Sequence, residues 1–180
     1  MYLQKNIDVN KWNKWRGQSD EHPDLRNVNL QSADLHGINL RNADLTCANL
    51  GGVELQNADL SNATLCGTYL RNTDLSNANL CCANLRGAYL PHADLNDAYL
   101  RGARLVWQSH DLIAEILRQA AGKNKVYRSV AGLVFMSRDL CWEELAAAVT
   151  SKQRDWAFGV LAQWADENTP RVLREWMARQ

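Results

Sequence analysis

From Leu25 onward leucine returns at every fifth position as far as Leu105, 17 times without a break. Two places ahead of almost every one stands a small or β-branched residue, as in Val28, Ala33, Ile38, Ala43, Val53, Thr68, Thr73 and Ala98, with Pro23 at the entry as the exception. The residue just before Leu is mostly Asp or Asn, and the two after it are polar or Gly. A period of five fits neither the 3.6 of a helix nor the 2.0 of a strand, because either would carry some of these leucines onto a solvent face. The chain must therefore turn once per repeat. If Leu and the small residue point inward, each repeat is one short extended edge and one corner. Asn, Asp, Ser and Gly suit the corner because they tolerate turn geometry and bond to their own backbone.

Units such as Ala33-Asp34-Leu35-His36-Gly37 and Ala78-Asn79-Leu80-Cys81-Cys82 resemble the pentapeptide-repeat family over Asp24 to Leu105. The resemblance implies a right-handed quadrilateral β-helix, a mainly β solenoid with four repeats per coil, in which residues twenty apart lie above one another. Leu25, Leu45, Leu65, Leu85 and Leu105 would then form one inner ladder. About four coils at the ~4.8 Å spacing of paired strands give a stub on the order of 20 Å tall. Burying each Leu contributes roughly 1.5–3 kcal/mol, against an ordering cost of about 1–2 kcal/mol for every residue's backbone. A solenoid this short needs its open ends covered.

Three segments follow: an N-terminal cap, 1–23; the repeat β-helix, 24–105; and a small C-terminal helical unit, 106–180. In the first, Val9, Trp12 and Trp15 recur at helical spacing after Asp8, a candidate N-cap, and predict a short helix whose apolar face sits over the first coil. In the last, Leu112, Ile113, Ile116, Leu117 and Ala120 predict a helix that starts behind Ser109 and is ended by Gly122. Further helices are expected over about 125–137 and 140–149, and one capped by Thr150 or Ser151 running to about Asp166. Thr169-Pro170 reads as the N-cap and first residue of the final one. Trp107, just past the end of the register, suggests that this unit packs on the last coil. Ser109 to Leu117 resembles the start of a tail carried by uncharacterised bacterial and phage members of the family, which implies a bacterial or phage origin and no activity.

Lys plus Arg and Asp plus Glu are equal at 20 each, so no charge excess announces nucleic acid or a membrane surface. No apolar run reaches the ~18 residues of a membrane span. The expected location is the cytoplasm. The odd number of cysteines, Cys47, Cys66, Cys81, Cys82 and Cys141, shows no spacing typical of a disulfide framework or a zinc site. No metal and no cofactor is predicted.

Catalysis needs a protected pocket and an oriented acid, base or nucleophile, whereas the predicted barrel is filled by Leu and Ala. His36, His92 and His110 each lie near an Asp but fall at outward or helix-start positions, where a solvated histidine is the plain reading. No catalytic residue is assigned. Sorting outward residues by face is more informative. One face carries Asp34, Glu54, Asp74 and Asp94 in a column, with Asp97 at its corner and no Lys or Arg, while Arg26, Arg41, Arg86, Arg101 and Arg104 fall on other faces. Carboxylates ~5 Å apart repel by roughly 1 kcal/mol per neighbouring pair even in water. On the adjoining face Tyr69 and Tyr89 share one outward position, with Pro91 nearby. An acidic stripe beside aromatic rings could receive a basic partner surface. The competing reading is that Asp and Asn are there only to bond corner backbone.

The favoured function is a non-catalytic protein-interaction or structural scaffold of unidentified protein partner, using Asp34, Glu54, Asp74, Asp94, Tyr69 and Tyr89. Its C-terminal unit either caps the solenoid or pairs with a second copy. Two alternatives compete with it. One is a DNA-mimicking modulator of DNA gyrase or topoisomerase, which the family resemblance allows but a zero net charge disfavours. The other is an enzyme housed in the helical unit, for which no constellation is found.

Overall fold

A computed structural model describes residues 7–104, 110–136, 142–165 and 169–180. The chain divides into two compact units, Met1–Val106 and Trp107–Gln180.

In the first unit, residues twenty apart pair in parallel: Asp24 with Asp44, Asp44 with Thr64, Thr64 with Asn84, and likewise along the other three faces. Four five-residue repeats therefore complete one turn. From Leu25 to Leu85 each Leu N–H donates to a carbonyl of the next coil, as from Leu45 to Thr64 at 2.8 Å, and from Asp44 onward each residue before Leu donates to the previous coil, as from Asp44 to Pro23 at 2.9 Å. All these pairings are isolated bridges. No longer strand forms among the described repeats, because the chain turns before a second residue can pair.

The corner is a hydrogen-bonded turn, as where Ala33 N–H donates to the Leu30 carbonyl at 2.9 Å. Its third residue has positive φ in every described repeat, from Asn27 at 58° to Gly102 at 72°, which is the requirement of a type II turn. The inward positions are buried as expected, Leu30 to Leu80 at 0% exposure. Thr68 and Thr73 occupy small-residue positions without leaving a polar group bare: their hydroxyls donate to the carbonyls of Leu45 at 2.8 Å and Leu50 at 2.7 Å. Val28, expected to be inward, remains partly exposed in the first coil.

The N-terminal helix α1, Val9–Arg16, begins at Asp8, whose carboxylate accepts from Lys11 N–H at 3.0 Å. Its contact with the solenoid differs in kind from the apolar stripe expected of Val9, Trp12 and Trp15. The buried residues are Trp12 and Arg16, while Val9 and Trp15 are only partly covered. Trp12 Nε1 donates to the Asn39 carbonyl at 2.7 Å, Asn13 Nδ2 to the Gly37 carbonyl at 2.9 Å, and Arg16 Nη2 to the Arg41 carbonyl at 2.7 Å. Asn13 Oδ1 accepts from Asn39 N–H at 2.8 Å. The Asn39 carbonyl and N–H and the Arg41 carbonyl are edge groups that a preceding coil would otherwise pair, and an edge left bare costs stability and invites association. Arg16 also donates to the Glu21 carbonyl and lies over the Trp15 ring.

The second unit is helical: α2, His110–Ala121; α3, Lys125–Met136; α4, Trp142–Ala147; α5, Ser151–Leu161, continued by a 3-10 turn Ala162–Trp164; and α6, Arg171–Met177. Gly122, with φ +51°, stands just past α2. Thr150 caps α5 in a reciprocal box with Gln153. The helix expected to reach about residue 166 gives way to the 3-10 turn after Leu161. The final helix starts one residue later than expected, with Pro170 as its N-cap and Thr169 buried before it. Leu112, Ile113, Leu161 and Leu173 form the innermost positions. Glu115 is also buried, held by Arg118 at 2.6 and 2.7 Å and Gln119 at 2.9 Å. Trp107 and Leu105 lie outside the described residues, as do Cys141 and the segment expected to open the helix at residue 140.

Candidate protein-interaction face

Asp34, Glu54, Asp74 and Asp94 stand directly above one another as successive parallel pairs. Asp34, Glu54 and Asp94 are exposed and Asp74 is half-buried. Three of the four also serve the corner. Asp34, Asp74 and Asp94 accept from the N–H of His36 at 3.1 Å, Ser76 at 2.9 Å and Asn96 at 2.9 Å. The same bond recurs at Asn29, Asn39, Asp44, Asn49, Asp59 and Asn79 on other faces, so an Asp or Asn there has a local reason. Glu54 makes no such bond among the described residues.

Asp74 is further tied to the coil before it, accepting from Gln56 Nε2 at 2.6 Å. Burial alone would raise its carboxyl pKa, but the hydrogen bonds from Ser76 and Gln56 outweigh that and hold the group below the ordinary carboxylate range. A different local pair dominates at the foot of the opposite ladder. Hydrogen bonding to Arg26 at 2.6 Å lowers the Asp24 carboxyl to about 2.

Tyr69 and Tyr89 also pair directly, with ring centroids 5.2 Å apart and planes 27° from parallel. Both are exposed, at 37% and 52%. The Tyr69 ring lies down over the corner of the preceding coil, where a Cβ on Gly51 would approach it to 3.0 Å. Gly51 is thus more than a turn residue: it leaves room for the ring. Two further residues bear on this surface. Arg71, exposed, follows Leu70 on the tyrosine face. Tyr99, 62% exposed, stands on the other side of the acidic column. Counting outward positions in steps of twenty would have found both.

The remaining candidates for chemistry disperse. His36 and His92 are exposed at outward positions, and the His110 side chain lies outside the described residues. Cys47, Cys66, Cys81 and Cys82 are free thiols, and burial pushes that of Cys66 up. Among the described residues no three His, Cys, Asp or Glu side chains are grouped to hold a metal ion. No described helix is long and apolar enough to cross a membrane. In the helical unit the Trp156 ring stacks on Tyr127 at 4.4 Å, and Trp176 meets Phe158 edge-on at 5.9 Å while donating to Asp155 at 2.9 Å. These tryptophans are used in packing.

The family model described as pentapeptide repeats (8 copies) matches residues 24–62, 58–97 and 82–107. The chain belongs to the pentapeptide-repeat family. Among solved structures, it is similar to the pentapeptide-repeat protein Rfr23 of the cyanobacterium Cyanothece 51142, with 45% identity over 44% of this chain and 54% of that one, TM-score 0.44. It is similar to HetL of Nostoc sp. strain PCC 7120, a pentapeptide-repeat protein involved in heterocyst differentiation regulation, with 40% identity over 48% and 42%, TM-score 0.28. A third, the pentapeptide-repeat protein alr5209 of Nostoc PCC 7120, is 33% identical over 57% and 79%, TM-score 0.27. The chain spans about half the length of Rfr23 and less than half of HetL. A comparison with curated protein sequences found no match.

Proposed function

We propose that this pentapeptide-repeat protein is a non-catalytic, cytoplasmic interaction scaffold whose right-handed solenoid presents the Asp34, Glu54, Asp74 and Asp94 column, flanked by Tyr69 and Tyr89, to a basic protein surface. At the ~4.8 Å spacing of paired strands, about four coils make this a rigid strip. The observation that supports it best is Glu54. Corner bonding accounts for Asp34, Asp74 and Asp94, yet the column keeps its charge at Glu54, where that bond is not made. Each neighbouring pair costs roughly 1 kcal/mol of repulsion, which a cationic partner would offset on binding.

The test separates charge from corner bonding. The variant Asp34→Asn, Glu54→Gln, Asp74→Asn, Asp94→Asn keeps side-chain acceptors at the three bonded corners and removes the field. With circular dichroism showing both proteins folded, affinity capture from the native host should recover a basic protein with wild type and lose it with the variant. Equal recovery by both would make the column structural, and a supercoiling assay with DNA gyrase showing inhibition by both would turn the reading toward a topoisomerase modulator.

A further inference from the structure

The first coil ends in a backbone edge that α1 covers on only one of four faces. On the Asn39 face, α1 provides donors to the carbonyls of Gly37, Asn39 and Arg41 and an acceptor for Asn39 N–H. Shifting by one repeat gives the groups that a preceding coil would pair on the Asp34 face: the carbonyls of Asp34 and His36 and the N–H of Asp34. Shifting by two gives the carbonyls of Asn29 and Gln31 and the N–H of Asn29. None of these groups has a hydrogen-bond partner among the described residues. The residues that carry them are exposed.

The edge offers two carbonyls for each N–H, so its natural partner is rich in donors. An extended strand brings one N–H per carbonyl and runs straight, whereas this edge turns a corner every five residues. The first edge of a second copy, placed head to head, would set carbonyl against carbonyl. What fits is a helix bearing Asn and Arg side chains, as Asn13 and Arg16 of α1 show on the neighbouring face. On the Asp34 face the adjacent side chain is an exposed carboxylate in place of Asn39, which favours the guanidinium further. We propose that the open first-coil edge, centred on Asp34 and Asn29, is an axial docking site for a cationic partner helix that presents Asn and Arg one turn apart. This site uses backbone groups and stands whether or not the lateral acidic column binds anything.

The experiment uses the full chain, isotope-labelled for amide NMR, and a synthetic peptide of the α1 sequence, Asp8 to Gly17. The peptide is stapled through positions 10 and 14, which are exposed in the intact protein, because so short a helix is marginal in water. Saturable shifts at the amides of Asn29 and Asp34, with Asn39 unmoved, are expected. A peptide with Asn13→Ala and Arg16→Ala should bind at least about tenfold more weakly, as loss of such hydrogen bonds implies. Replacement of Asp34 by Pro in the protein removes an N–H that has no partner among the described residues and should abolish the peptide-induced shift of the His36 amide on the same face while the Asn39 amide keeps its position. The proposal is overturned if saturating peptide leaves Asn29 and Asp34 unmoved, or moves only Asn39 by exchanging with α1. It is equally overturned if those amides shift with protein concentration alone, which would assign the edge to a second copy.

Discussion

The solenoid and the helical unit solve the same problem, burying apolar groups while pairing the backbone, in opposite ways. In the solenoid one local rule repeats: Leu inward, a positive-φ corner, and a bridge twenty residues on. Its hydrogen bonds join coils, so the backbone itself is the long-range glue. In the helical unit the backbone bonds are local, and long-range cohesion comes from contacts that occur once each, such as Tyr127 on Trp156 or Glu115 with Arg118 and Gln119. A periodic region can be read from its sequence by counting. An aperiodic one yields its helices but not their partners.

The sharpest way to break this comparison is to empty one core at a time. Leu60→Ala and Leu161→Ala, both at fully buried positions, should each cost about 2–5 kcal/mol. Native-state hydrogen exchange should confine the first loss to the solenoid and the second to the helices. Loss of protection in both units from either change would mean that they unfold as one. Next, Gly87→Ala and Gly122→Ala, at φ +68° and +51° with room for the added methyl, should each cost about 1–2 kcal/mol. If the solenoid variant proves neutral, its corners relax more readily than a helix end, and the shared local rule fails. A smaller effect is expected of Thr73→Val, which deletes the buried hydroxyl bonded to the Leu50 carbonyl. A loss of about 1 kcal/mol in urea unfolding is the expected reading.

The smallest effect concerns acid. A carboxyl whose pKa is depressed by folding stabilises the native state above its unfolded value, and that stability is lost as pH falls toward the folded value. For Asp24 the window runs from the ordinary 3.8 down to about 2, and Asp74 shifts in the same direction. The solenoid should therefore weaken progressively below about pH 4. Asp74→Asn should flatten part of that slope in an acid titration of solenoid hydrogen exchange, and an unchanged slope would mean that Gln56 and Ser76 hold the neutral group equally well.

Much of the candidate face was legible. Once twenty residues make a turn, the acidic and tyrosine columns follow from arithmetic. What the linear reading of α1 missed was polar. Trp12, Asn13 and Arg16 serve carbonyls near residues 37 to 41, and no helical periodicity announces a contact between a side chain and a distant backbone edge. The weight given to Trp15 was misplaced for the same reason, since an apolar stripe marks a helix face but not which surface receives it.

By itself the sequence determined the five-residue repeat, its inward leucines and the α1 cap at Asp8, because each depends on residues within a few positions of one another. Only the tertiary structure decided that α1 closes one face of the first edge with hydrogen bonds, and that the Asn29 and Asp34 backbone groups have no partner among the described residues. That outcome depends on which backbone groups remain unpaired once the coils have stacked, and those groups exist as a surface only after the chain has wound.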